Sequence, residues 1–160
     1  MKNDNSIRNE VRKHYDELLG PVYSWIVGDF ETAYKKSAAL FADLDIKPRQ
    51  NAAAVDLGCG SGSQALALAD AGFRVTAIDF CEQLLTELKL HAGEQSIRAI
   101  NDDILNFPHH LEEPPELVVC MGDTLVHLPS EQAVDDLLSR IAKQLLPGGT
   151  FIASMRDYSG

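Results

Sequence analysis

Basic residues are scarce in this chain. Fourteen Lys and Arg face 24 Asp and Glu, for a net charge of −10. A partner with a phosphate backbone or an anionic lipid surface rewards clustered cations. No such cluster stands here, and the pair Lys35-Lys36 reads as a solvated helix face. Nucleic acid and membrane surfaces are therefore not expected as partners. Long apolar runs are missing too: none approaches the roughly 20 residues needed to span a bilayer. The first ten residues are polar and carry no apolar signal core, so the expected compartment is the cytoplasm. Cysteine is limited to Cys59, Cys81 and Cys120, without metal-ligand spacing. These three read as small residues near strand ends, and no metal site is expected. His109-His110 with Glu112-Glu113 reads as a solvated loop.

What remains is ordinary for a globular domain: 160 residues, 45% hydrophobic and 24% charged. Apolar spacing predicts helices over 6–19 and 22–44, interrupted at Gly20-Pro21 and again near Gly28-Asp29. A polar linker covers 47–51. Five short apolar runs then alternate with helical patterns. Strands are predicted over 52–57, 74–79, 97–100, 117–121 and 150–155. Helices are predicted over 63–71, 82–91 and from 129 or 130 to 146. Gly72 is placed as a C-cap and Ser130 as a capping start. Residues 104–115, with Pro108, Pro114 and Pro115, read as loop. Such alternation predicts an α/β fold, a doubly wound and mainly parallel sheet with right-handed crossovers. Residues 1–50 form a helical segment ahead of it, and 51–160 the sheet domain.

The most informative stretch is Val55-Asp-Leu-Gly-Cys-Gly-Ser-Gly62. A strand runs into glycines 58, 60 and 62, and a helix follows at once. Glycines there admit positive φ and let backbone approach a ligand, and the new helix directs N–H groups at it. A dinucleotide fingerprint places its third glycine three residues after the second; here the interval is two. Asp79, ending the next strand about 20 residues on, stands where a carboxylate holds the vicinal hydroxyls of a ribose.

Asp56-Leu-Gly-Cys-Gly-Ser-Gly62 with Asp79 resembles the glycine motif of class I S-adenosylmethionine-dependent methyltransferases. The resemblance implies a Rossmann-like sheet of order 3-2-1-4-5 and S-adenosylmethionine as cofactor. It implies that Asp56 lies near the methionine ammonium and that Gly58, Cys59, Gly60 and Gly62 pass beside the methionyl group. It implies Asp79 on the ribose, Phe80 over the adenine, and one acid of the pair Asp102-Asp103, with Asp103 preferred and Ile104 following it, at the adenine amine. Asp103 also reads as a turn cap. Cys120, Met121 and Gly122 would lie under the sulfonium. Tyr15, with Tyr23 and Trp25, would form a lid. Gly122-Asp-Thr124 with His127-Leu-Pro is similar to small-molecule N-methyltransferases of the glycine and sarcosine type. It implies an amine acceptor, with Asp123 on an ammonium or a proton and His127 as a base.

The family's sheet carries two further strands after the fifth. The chain is therefore expected to be truncated there, or to pair its fifth-strand edge across a homodimer. Two other readings compete: a nicotinamide-dependent oxidoreductase, disfavoured by the glycine spacing, and a cofactor-binding module without turnover.

Overall fold

The computed structural model describes residues 29–157, together with Glu10 and Lys13. Tyr15, Tyr23 and Trp25, the expected lid, lie outside the described residues. The first described helix is α1 (Phe30–Asp43), begun after Asp29, where the sequence predicted an interruption. Then follow β1 (Ala53–Leu57), α2 (Ser63–Asp70), β2 (Arg74–Asp79), α3 (Glu82–Ala92), β3 (Ile97–Asn101), β4 (Leu117–Cys120), α4 (Glu131–Gln144) and β5 (Thr150–Ala153). The strands form one sheet in the order β3-β2-β1-β4-β5, every neighbouring pair parallel. Order and class are those expected from the sequence.

A parallel sheet covered on both faces needs strands that are apolar on both sides. Successive residues of β1 and β4 accordingly feed two different cores. Ala54, Val75, Ala77, Leu117 and Val119 pack with Phe41 of α1, Ala65 and Leu68 of α2, and Leu85 and Leu88 of α3. Val55, Leu57, Ile78, Val118 and Cys120 face Leu137 and Ile141 of α4. Each large side chain so buried stabilises the fold by about 1.5–3 kcal/mol relative to exposure. Two tight places set the helix ends. The Ser130 hydroxyl accepts the Ala133 N–H at 3.1 Å, the expected N-cap of α4. Gly72, at φ 104°, turns the chain out of α2.

Three expectations need correction. Residues 104–115 are not all loop, because Ile104–His110 forms a 3-10 helix. The Asp103 carboxylate starts it by accepting the Leu105 N–H at 2.9 Å. Ile104, Leu105 and Phe107 then bury themselves beneath it. Short i→i+3 helices leave no periodicity to read and tolerate Pro108. The fourth and fifth strands also end earlier than predicted, at Cys120 and Ala153. Finally, the 47–51 linker is anchored: the buried Glu116 carboxylate accepts the amides of Arg49 and Gln50. β5 is the outer strand of the sheet and is half-buried at Phe151 and Ile152.

Candidate functional site

In a doubly wound sheet the strand order reverses at one place, and ligands bind outside the carboxyl ends of the strands there. Here the reversal falls between β1 and β4. The turn after β1 is drawn across the end of β2. The amides of Gly58 and Cys59 both donate to the Ile78 carbonyl, at 2.8 and 3.1 Å. Gly60 N–H donates to Asp79 Oδ2 at 2.9 Å, and Gly62 N–H to the Cys59 carbonyl at 3.0 Å. So tight a turn needs backbone on the left-handed side, and glycines 58, 60 and 62 have φ of 74°, 53° and 96°. The four amides are thus engaged within the protein. The expectation that N–H groups face the ligand holds for the first turn of α2 only as geometry of a helix start; the glycine amides are not directed outward.

Asp79 is the joint of this arrangement. It is 9% exposed, and its other oxygen, Oδ1, accepts the Cys81 N–H at 2.9 Å. A carboxylate has about four acceptor positions, so two backbone donors orient it and are compatible with further hydroxyl donors.

Asp56 is the anomaly. It is fully buried near the end of β1, and neither side-chain oxygen has a hydrogen-bond partner. Buried polar atoms are almost always paired, and exceptions point to function or to a missing partner. Burial first, and the Asp79 charge second, push the Asp56 carboxyl up to about 7; the Ala65 amide in the first turn of α2 offsets this only in part and does not reach hydrogen-bond geometry with either oxygen. The same burial raises the Cys59 thiol, with Asp79 and Asp56 adding to it, and pushes Cys120 up to about 12. Neither thiol is a thiolate at neutral pH, which removes them as nucleophiles.

A cleft of about 280 Å³ opens over the turn. Its walls are glycine-turn residues 58–61, Phe30 and Ala33 of α1, Glu87, Leu90 and His91 of α3, Met121–Asp123 after β4, and Arg156 after β5. A hollow of about 350 Å³ also lies at the opposite, amino ends of the strands, among Arg74, Arg98, Glu112 and Glu113. The first is the candidate site, because the glycine turn and the strand reversal meet there; Asp56 is buried two residues before the turn.

Of the expected residues, Gly58, Cys59, Gly60, Met121, Gly122 and Asp123 line the cleft; Asp79 lies behind it, bonded to Gly60, and Asp56 and Gly62 are not among its walls. Asp123 is paired with Arg156, Nε to Oδ2 at 3.4 Å. Phe80 is half-buried directly after β2. Cys120 and Ile104 are packed in the core, so only their backbone is placed to meet a ligand. His127 ends a short 3-10 helix (Leu125–His127), exposed and outside the cleft walls. Of the acid pair after β3, Asp103 caps the 3-10 helix, as its turn-cap reading expected. Asp102 binds Asn106 at 2.9 Å, His110 at 2.7 Å and the Asp103 N–H at 2.7 Å. Partial burial pushes the Asp102 carboxyl up, but these bonds, His110 foremost, hold it below the usual range. Phe30, Glu87, His91 and Arg156 were not singled out from the sequence. Arg156 had a usable signal, lying just past the carboxyl end of the fifth strand. His91 and Phe30 had none, since each reads as an ordinary helix residue.

Comparison with known proteins gives a consistent result. A family model described as a methyltransferase domain matches residues 54–149. The ubiquinone biosynthesis O-methyltransferase of Hydrogenovibrio crunogenus is 33% identical over 103 residues, 62% of this chain and 41% of that protein. The glycine/sarcosine N-methyltransferase of Aphanothece halophytica is 23% identical over 160 residues, 99% of this chain and 58% of that protein. The chain thus spans roughly half the length of these relatives. The magnesium protoporphyrin IX methyltransferase from Synechocystis PCC 6803, solved with bound S-adenosylmethionine, shares the fold. Its TM-score is 0.66 at 24% identity, covering 91% of this chain and 73% of that one. The family model covers more than half of the chain, from β1 to the start of β5: the chain belongs to the methyltransferase-domain family.

Proposed function

We propose that the protein is an S-adenosylmethionine-dependent methyltransferase acting on a small amine in the cytoplasm. One observation carries the reading: a buried, unpartnered carboxylate, Asp56, beneath a glycine turn that is itself bonded to a second carboxylate, Asp79. A buried anion without a partner is costly. A ligand bearing an ammonium beside a ribose answers both features, and a dinucleotide, whose pyrophosphate is anionic, does not.

The bound cofactor supplies a methyl carbon already activated by a positive sulfur. The residues of this chain bind and align. Asp56 balances the ammonium, the 58–62 turn passes beside the methionyl chain, and Asp79 accepts from the ribose hydroxyls. Phe80 covers the base, Asp103 takes its exocyclic amine, and Ile104 offers backbone to the ring. The backbone of 120–122 forms the floor toward the acceptor. Alignment of an in-line displacement supplies up to about 7–11 kcal/mol. A base is needed only for a protonated acceptor. Asp123, at the cleft wall, holds the acceptor ammonium; its pairing with Arg156 orients it. His127 has the weaker claim, being outside the cleft walls. The net charge of −10 also favours a cationic acceptor over nucleic acid.

Calorimetric titration with S-adenosylhomocysteine and, separately, NADH tests this. Micromolar binding of the first and none of the second is expected. NADH binding alone reverses the assignment.

A further inference from the structure

The glycine turn has two sides. Its first half is bonded to β2 through Ile78 and Asp79. Ser61 stands between Gly60 and Gly62, both at positive φ. A peptide flanked by two glycines rotates with little steric resistance. The N–H side of the Ser61–Gly62 peptide is closed within the turn, where Gly62 N–H donates to the Cys59 carbonyl at 3.0 Å, and its carbonyl side has a second hold. His91, at the end of α3, has its Nδ1 3.2 Å from the Ser61 carbonyl oxygen. A carbonyl only accepts, so Nδ1 carries the proton. The opposite face of the hold is an aromatic contact. Phe30, the first residue of α1, stacks on the imidazole with ring centroids 3.5 Å apart and planes 15° apart. Phe30, Ser61 and His91 all line the same cleft.

Ordinary folding requirements do not account for this group. His91 is exposed, and α3 is already seated by Leu84, Leu85, Leu88 and Ala92. The stack joins three elements: the start of α1, the end of α3 and the turn after β1. It gives the Ser61 carbonyl a partner from outside the turn, and it joins the beginning of α1 to the wall of the cleft.

We propose that His91 is a positioning residue, a latch that fixes the Ser61 peptide and holds Phe30 over the cofactor cleft. The inference rests on the reading that this cleft takes S-adenosylmethionine. Losing the latch leaves the turn to be ordered by the ligand, which weakens binding without altering the core.

The experiment uses the full chain and four variants: His91→Ala, His91→Phe, His91→Asn and Phe30→Ala. Phe at 91 retains a ring for stacking without the donor; Asn retains a donor near Nδ1 without the ring. Two readouts are taken. The first needs no ligand: hydrogen exchange of the 58–66 segment followed by mass spectrometry. His91→Ala is expected to speed exchange there and to leave β4 and α4 unchanged. The second is the dissociation constant for S-adenosylhomocysteine, expected to rise about tenfold in His91→Ala and less in the Phe and Asn variants. The thermal midpoint should move by less than about 2 °C, as for a surface residue. Phe30→Ala combined with His91→Ala should cost no more than His91→Ala alone, because one latch is broken once. Unchanged exchange in the 58–66 segment, or full additivity of the two substitutions, overturns the latch. Failure of every protein to bind S-adenosylhomocysteine, with exchange altered as expected, overturns the cofactor reading and leaves the latch standing.

Discussion

Gly58 faces Thr124 so closely that a methyl group on its Cα would lie 2.4 Å from both Oγ1 and Cγ2 of that side chain. The first glycine of the turn is thus fitted against the segment that follows β4. Its φ of 74° adds a second objection to any side chain. Gly58→Ala is expected to cost about 2–4 kcal/mol, from left-handed backbone and from overpacking together. Chemical denaturation measures it. Adding Thr124→Ala removes the two closest contacts and should recover part of the loss. A double variant as unstable as the sum of the two singles would mean that Thr124 is not the obstacle.

On the proposed reading, Asp79 serves the fold and the ligand through the same atoms. Asn at this position offers one carbonyl oxygen to two backbone donors, Gly60 and Cys81. Asp79→Asn should therefore lose about 1–3 kcal/mol of stability. It should also weaken S-adenosylhomocysteine binding by about 10–100-fold, the effect of one or two lost charge-assisted hydrogen bonds. Calorimetry on the folded variant decides. Binding within threefold of wild type would remove Asp79 from the ribose.

The buried Asp56 carboxyl makes stability depend on pH with a definite sign. Its value is pushed up to about 7 in the fold, against about 3.9 in an unfolded chain. Between these values the folded state holds the proton more tightly. The contribution of this site to stability is thus fully present below about pH 4 and lost as pH rises through about 7. Asp56→Asn cannot ionise. It should be more stable than wild type by up to about 4 kcal/mol at pH 8, with the gap closing toward pH 4. Urea titrations of both proteins across that range measure the gap. A pH-independent gap contradicts the assignment. Saturating S-adenosylhomocysteine should narrow the gap at pH 8, because its ammonium gives the carboxylate a partner.

On the proposed reading, Asp123 serves the acceptor and not the cofactor. The ion pair with Arg156 is mostly solvated on the arginine side, so its loss should cost less than about 1 kcal/mol. Asp123→Asn is expected to raise KM for an amine acceptor about tenfold, one charge-assisted contact. Affinity for S-adenosylhomocysteine should stay within threefold. Steady-state kinetics with an amine panel, run beside the titration, distinguishes this from a general weakening of the site.

The sheet was legible because its determinants are local and repetitive. Apolar runs such as 52–57 and 117–121, each bounded by glycine or proline, leave few arrangements open. The glycine turn and its two acids were legible for the same reason: close backbone approach leaves a residue type at each position. What escaped was made by tertiary packing. The 3-10 helix after Asp103 is decided by burial of Ile104 and Phe107. The anchoring of the 47–51 linker depends on Glu116, far along the chain. His91 meets Phe30 and Ser61 across intervals of 61 and 30 residues, and no periodicity reports such a meeting.

The bonding of the glycine turn to the end of β2 has a further consequence. Gly60 and Asp79 share a hydrogen bond, so the glycine turn and the end of β2, the parts proposed to meet the methionyl chain and the ribose, are tied to each other. A ligand that engages either part finds the other already in position. Preorganisation of this kind lowers the entropic penalty of association. On the proposed reading, the methionyl and ribose parts of the cofactor meet a joined surface rather than two separate ones.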